Sequence, residues 1–103
     1  MVPAVAAAYV VLHGLVTIGP TSPACESKPA VCSKPAVHAL IEFTQAHALA
    51  MATTDTHGRY SLRIISGTWR VEITAGVRTT PNKIVVYRTA SQTRNFKVDS
   101  GIR

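Results

Sequence analysis

Residues 55–75, DTHGRYSLRIISGTWRVEITA, restrict the fold more than any other stretch of this chain. Tyr60, Leu62 and Ile64 alternate with Arg59, Ser61 and Arg63. After Ser66-Gly67, Trp69, Val71, Ile73 and Ala75 alternate with Thr68, Arg70, Glu72 and Thr74. Successive side chains of a strand point to opposite faces, so the pattern describes two half-buried β-strands. Ser66-Gly67 suits a tight turn, and the simplest arrangement is a β-hairpin. In that register Tyr60 faces Ile73, Leu62 faces Val71 and Ile64 faces Trp69. On the outer face Arg63 then lies opposite Arg70, with Arg59 two positions along and Glu72 on the diagonal. A one-residue slip would turn one strand inside out.

The remaining strands are read the same way. Residues 36–44 place Val37, Ala39, Ile41 and Phe43 on one face, and residues 47–54 suit strand better than helix because the segment is short. Residues 83–89 are β-branched and aromatic, and residues 93–98 bring Phe96 and Val98 inward. With a strand through residues 9–18 the count is seven, with no convincing helix. The expected fold is all-β, a seven-stranded antiparallel sandwich, and 103 residues suffice to bury one core.

Residues 1–12, MVPAVAAAYVVL, are apolar and fall short of the roughly 18–20 residues that span a bilayer. Three readings stay open: the tail of a signal sequence, an edge strand within its own domain, or a strand whose front half pairs outside that domain. The organisation is therefore an apolar arm over residues 1–12 and a sandwich over residues 13–103. Val5, Ala7, Tyr9 and Val11 would form the apolar row of an intermolecular strand. Cys25 and Cys32 lie in the Pro- and Ser-rich loop of residues 21–35. A disulfide in an exported protein is the natural reading of that pair, and two reduced thiols in a cytosolic protein are the alternative.

At this point a family resemblance enters. Asp55-x-x-Gly58-x-Tyr60 followed by Gly67-x-Trp69-x-Val71 resembles the core motif of carboxypeptidase regulatory-like domains, with Trp69 where the family has Tyr or Phe. Residues 13–17, HGLVT, are similar to the family's opening strand. Pro35-Ala36-Val37-x-Ala39 is similar to its second, and NFKVDSGIR at residues 95–103 resembles the last strand of small exported bacterial members. The resemblance covers residues 13–103. It implies a transthyretin-like (prealbumin-like), Ig-like sandwich used as a spacer, accessory, glycan-binding module or surface subunit, in the extracellular space or cell envelope.

Chemistry is sparse. His13, His38, His47 and His57 have no metal-ligand spacing, and no nucleophile motif is present, so neither an enzyme nor a metal or cofactor site is expected. Asp55 and Gly58 fit a turn, the carboxylate accepting from backbone N–H groups and the glycine taking a positive φ. Eleven Lys+Arg against five Asp+Glu give a net charge of +6, which favours anionic partners. Arg59, Arg63 and Arg70 would be the stripe that binds an acidic glycan or cell-wall polymer, the plain alternative being a solvated face. Nucleic acid is disfavoured, because no exposed aromatic ladder accompanies the charge. The leading expectation is a non-catalytic structural protein, a pilus-like filament subunit joined through its N-terminal strand. A basic glycan-binding accessory domain is the alternative.

Overall fold

The computed structural model describes residues 9–20 and 32–101. Among these residues ten strands make two sheets: β1 Tyr9–Gly19, β2 Lys34–Pro35, β3 Leu40–Gln45, β4 Ala48–Thr53, β5 Arg59–Ile65, β6 Gly67–Ile73, β7 Arg78–Thr80, β8 Lys83–Val86, β9 Ser91–Thr93 and β10 Phe96–Asp99. Sheet II is antiparallel, in the order β4-β3-β6-β8. Sheet I holds the other six strands around β1. The all-β, two-sheet expectation holds. The count of seven and the purely antiparallel pairing do not: β9 and β10 both run parallel to β1. The three extra strands, β2, β7 and β9, are two or three residues long. Pieces that short have no periodicity of their own and exist only through the strands they pair with.

β1 is the spine of sheet I, and it uses both edges along most of its length. Tyr9 to Leu15 pair with β5, while Val11 to His13 also pair with β9. Farther along, Thr17 and Ile18 pair with β2 on one side and with β10 on the other. The strand runs without a break from Tyr9 to Gly19, through the expected boundary at residues 12 and 13. Val10, Leu12 and Val16 have no exposed surface, so the front half of the strand belongs to the core of its own domain. This corrects the use of Tyr9 and Val11 as an intermolecular strand, because their backbones already pair with Ile65 and Arg63. Val5 and Ala7 lie outside the described residues.

The central hairpin is also corrected. β5 and β6 are consecutive, but β5 pairs with β1 in sheet I, and β6 lies between β3 and β8 in sheet II. The chain passes from one sheet to the other at Ser66-Gly67, where Gly67 has φ +142°, a conformation that side chains disfavour. The Trp69 indole N–H donates to the Ile65 carbonyl across this corner at 3.0 Å. Alternation identified the buried faces correctly. Tyr60 and Ile64 meet Trp69, Val71 and Ile73 in the core, from opposite sheets rather than as neighbours in one. A period of two says which face is buried, and it is silent on which strand lies alongside.

The interior joins the sheets through three rings. Phe43 of sheet II lies 6.3 Å from Tyr60 and 6.2 Å from Phe96, and Tyr60 and Phe96 are 5.8 Å apart. Such separations suit tilted and edge-to-face packing. Tyr60 stands beside Gly14 in the β1–β5 ladder, and its hydroxyl donates to the Arg94 carbonyl at 2.6 Å, on the far side of β1. Burial pushes its phenol pKa above the ordinary 10.0, with the Arg94 charge opposing. Arg94 in turn donates its N–H to the His13 carbonyl at 2.8 Å, and Asn95 Oδ1 accepts from the Leu15 N–H at 2.9 Å. A Cβ on Gly14 would sit 1.8 Å from the Arg94 oxygen, so no other residue fits there. Gly14→Ala is therefore expected to lower the thermal midpoint more than an ordinary Gly→Ala change, by about 2 kcal/mol or more at the midpoint. A midpoint equal to wild type would refute the contact.

Candidate functional site

The three expected anion-binding arginines do not share a face. Arg59 and Arg63 project from β5 on the outside of sheet I, and Arg70 projects from β6 on the outside of sheet II. The Arg63–Arg70 pairing is thus corrected, for the same reason as the hairpin. Across the ladders Arg63 meets Val11, while Arg70 meets Thr44 on one side and Lys83 on the other. Glu72, expected beside Arg63, lies opposite Glu42.

On sheet I the face carries apolar surface as well as charge. β1 sets Tyr9, Val11, His13 and Leu15 outward beside Arg59, Ser61 and Arg63. Tyr9 is 58% exposed and Leu15 39%. The Arg63 guanidinium carbon lies 5.2 Å from the centre of the Tyr9 ring, within cation–π range. An arginine held over an exposed ring, with a second arginine along the strand, can accept a flat, anionic, partly apolar ligand. Beside this face is an open hollow of about 510 Å³, lined in part by His13, Leu15, Asp55, Arg59 and Asn95.

The edges differ in chemistry. Among the described residues β4 pairs only with β3, which puts six residues, Ala48–Thr53, on an outer edge of sheet II. That edge has no charge and no proline, and it exposes Leu49 at 58% and Met51 at 55%. β5 is a seven-residue edge bearing Arg59 and Arg63, and β8 is a four-residue edge bearing Lys83. Charged side chains are the usual protection of an edge against pairing with another chain, and β4 lacks it. Sequence reasoning missed β4 as a surface because residues 47–54 read only as a short strand, with no signal of its place in a sheet. Only its position at the end of sheet II makes it distinctive.

The turn before β5 takes the expected form. The Asp55 carboxylate accepts from the N–H groups of His57 at 2.8 Å and Arg59 at 2.9 Å. Gly58 has φ +76°, and its carbonyl accepts from the Val16 N–H at 2.8 Å, which docks the turn on β1. Thr54 is buried just before this turn and holds the residues ahead of β3, accepting from the Ala39 N–H and donating to the Ala36 carbonyl. Cys32 is buried, and Cys25 lies outside the described residues. Among the described residues no three His, Cys, Asp or Glu side chains gather as a metal site, and no helix is long and apolar enough to cross a membrane.

No family model matches this chain, and no curated protein or solved structure matches it at a significant level. The site must be argued from its own chemistry.

The backbone N–H bonds from Arg59 and then His57 hold the Asp55 carboxyl below its ordinary pKa of 3.8. A depressed carboxylate pKa gives stability that is present above the unfolded-state value and is lost as pH falls through the folded-state value. Asp55→Asn should therefore be less stable than wild type near neutrality. The difference should shrink once the pH drops below 3.8. Thermal melts of both proteins from pH 7 to pH 2 test this, and a gap independent of pH would contradict it.

Proposed function

We propose that this chain is a non-catalytic structural module of the extracellular space or cell envelope, a transthyretin-like, Ig-like sandwich that assembles with copies of itself by strand addition. The observation that carries the reading is the β4 edge: six uncharged residues, paired on one side only among the described residues, with Leu49 and Met51 exposed. Added strands gain main-chain hydrogen bonds at such an edge and place alternate side chains on each face. The donor is residues 1–8, MVPAVAAA, whose Val5 and Ala7 are uncharged like the edge they would meet. Residues 9–12 are committed to β1, so the donor is shorter than residues 1–12. A head-to-tail contact of this kind need not close on itself and builds filaments.

A second reading has its own observation. The outer face of sheet I, with Arg63 over the Tyr9 ring and Arg59 near Leu15, suits an acidic polysaccharide lying across the strands. On this reading the module is an accessory that attaches to a glycan or cell-wall polymer. The two uses occupy different sheets and can coexist.

Light scattering separates assembly from its absence. Wild type is expected to form concentration-dependent polymers. Deletion of residues 1–8, and separately Met51→Lys, should each leave monomers with an unchanged circular-dichroism spectrum. Polymers that persist in both variants, or a wild type that stays monomeric at every concentration, would end the assembly proposal.

A further inference from the structure

Between the end of β6 and the start of β8 the chain crosses from sheet II to sheet I and back, and it encloses a cleft of about 620 Å³. Arg70 and Glu72 line it from β6, Arg78 from β7, Asn82 from just ahead of β8 and Lys83 from its first position. Its frame is held by short-range bonds. Thr79 Oγ1 accepts from the Ile73 N–H at 3.2 Å, and the Asn82 carbonyl accepts from the Val71 N–H at 2.8 Å. The volume lies in the range of sites that hold a small molecule.

The charges in the cleft are unbalanced. Arg70 and Lys83 stand directly opposite each other in the β6–β8 ladder, an arrangement of like charges that destabilises a sheet. Arg78 adds a third cation, although it faces Asp99 across the β7–β10 ladder. None of the three side chains has an ion-pair or hydrogen-bond partner among the described residues. The single lining carboxylate, Glu72, has Glu42 as its facing neighbour across the β3–β6 ladder. A sheet that places Arg70 against Lys83 gains from an oxyanion bound between them, and an arginine fork donates two parallel bonds to a carboxylate or sulfate.

We infer that this cleft is a binding site for one anionic sugar unit, a uronate or a sugar sulfate. Its carboxylate or sulfate lies among Arg70, Arg78 and Lys83, and its hydroxyls bond to Glu72 and Asn82. Glu72 gives the site its preference for a hydroxylated anion, because a carboxylate accepts from hydroxyls and repels a bare oxyanion. The inference goes beyond the polysaccharide reading, whose surface is the outer face of sheet I, by placing a separate seat for a charged sugar beside sheet II. It rests on that reading only for the claim that the sugar belongs to a polymer.

The test is an amide NMR titration of the full chain with D-glucuronate, D-glucose 6-sulfate, inorganic sulfate and D-glucose, run beside a binding assay on polygalacturonate. Both charged sugars should shift amides within residues 70–83, inorganic sulfate should do so more weakly, and D-glucose should not. Arg78→Gln and Lys83→Gln should each weaken charged-sugar binding about tenfold, while Arg88→Ala, exposed and outside the cleft lining, leaves it unchanged. Each spectrum also reports whether its variant is folded. Absence of localised shifts, an equal response to D-glucose, sulfate binding as tight as that of the sugars, or unchanged affinity in both cleft variants would overturn the inference. Polygalacturonate binding that depends on Arg63 while the cleft stays silent sinks the cleft and keeps the outer-face reading. Cleft binding without polymer binding does the reverse.

Discussion

The Tyr60 hydroxyl reaches past Gly14 to the Arg94 carbonyl, and most of the fold depends on that contact. It ties β5, β1 and the β9–β10 connection at the one point where β1 changes neighbours. Through His13 the strand is flanked by β5 and β9, the β5 ladder ends at Leu15, and beyond that the neighbours are β10 and β2. The β9–β10 chain breaks off its ladder at Arg94-Asn95, and Asn95 Oδ1 takes over the Leu15 N–H that would otherwise lack a partner. The Asn95 side chain thus keeps a backbone donor of β1 bonded through the switch. The same Tyr60 ring packs on Phe43 of the other sheet, which links the switch point to the core between the layers.

This contact also explains which parts of the fold were legible in the chain. Alternation located β5 and β6 and their buried faces, because burial on one face imposes a period of two whatever lies beside the strand. It misassigned their partners, since Ser66-Gly67 serves a corner between sheets as well as it serves a hairpin turn. The motif D-x-x-G-x-Y was read as turn chemistry, and Asp55 and Gly58 do form that turn. Tyr60 has a further role, as a bolt across β1, that emerges only when Gly14 and Arg94 are brought alongside. β2, β7 and β9 lay in segments read as loops, because two- and three-residue strands take their identity from long-range pairing.

The candidate surfaces follow the same logic. Three arginines that alternate within one segment of sequence look like a single stripe, and the corner at Gly67 sends them to opposite sides of the sandwich. What replaces the stripe is two separate environments: Arg63 over Tyr9 on sheet I, and Arg70 facing Lys83 beside a cleft at sheet II. Residues 78–83 carried no motif, so Arg78 and Lys83 could not have been chosen without the β6–β8 register. The β4 edge was hidden for a similar reason, since Ala48–Thr53 acquires meaning only as the last strand of its sheet.

The central claim is that β1 is one continuous core strand, with its front half as firmly built in as its back half. Native-state hydrogen exchange measures this directly, residue by residue. The amides of Leu12 and His13 should exchange only through global unfolding, at the same free energy as those of Thr17 and Ile18. Exchange of Leu12 and His13 at a much lower free energy, while Thr17 and Ile18 stay protected, would show that the front half is a detachable arm and would contradict the account.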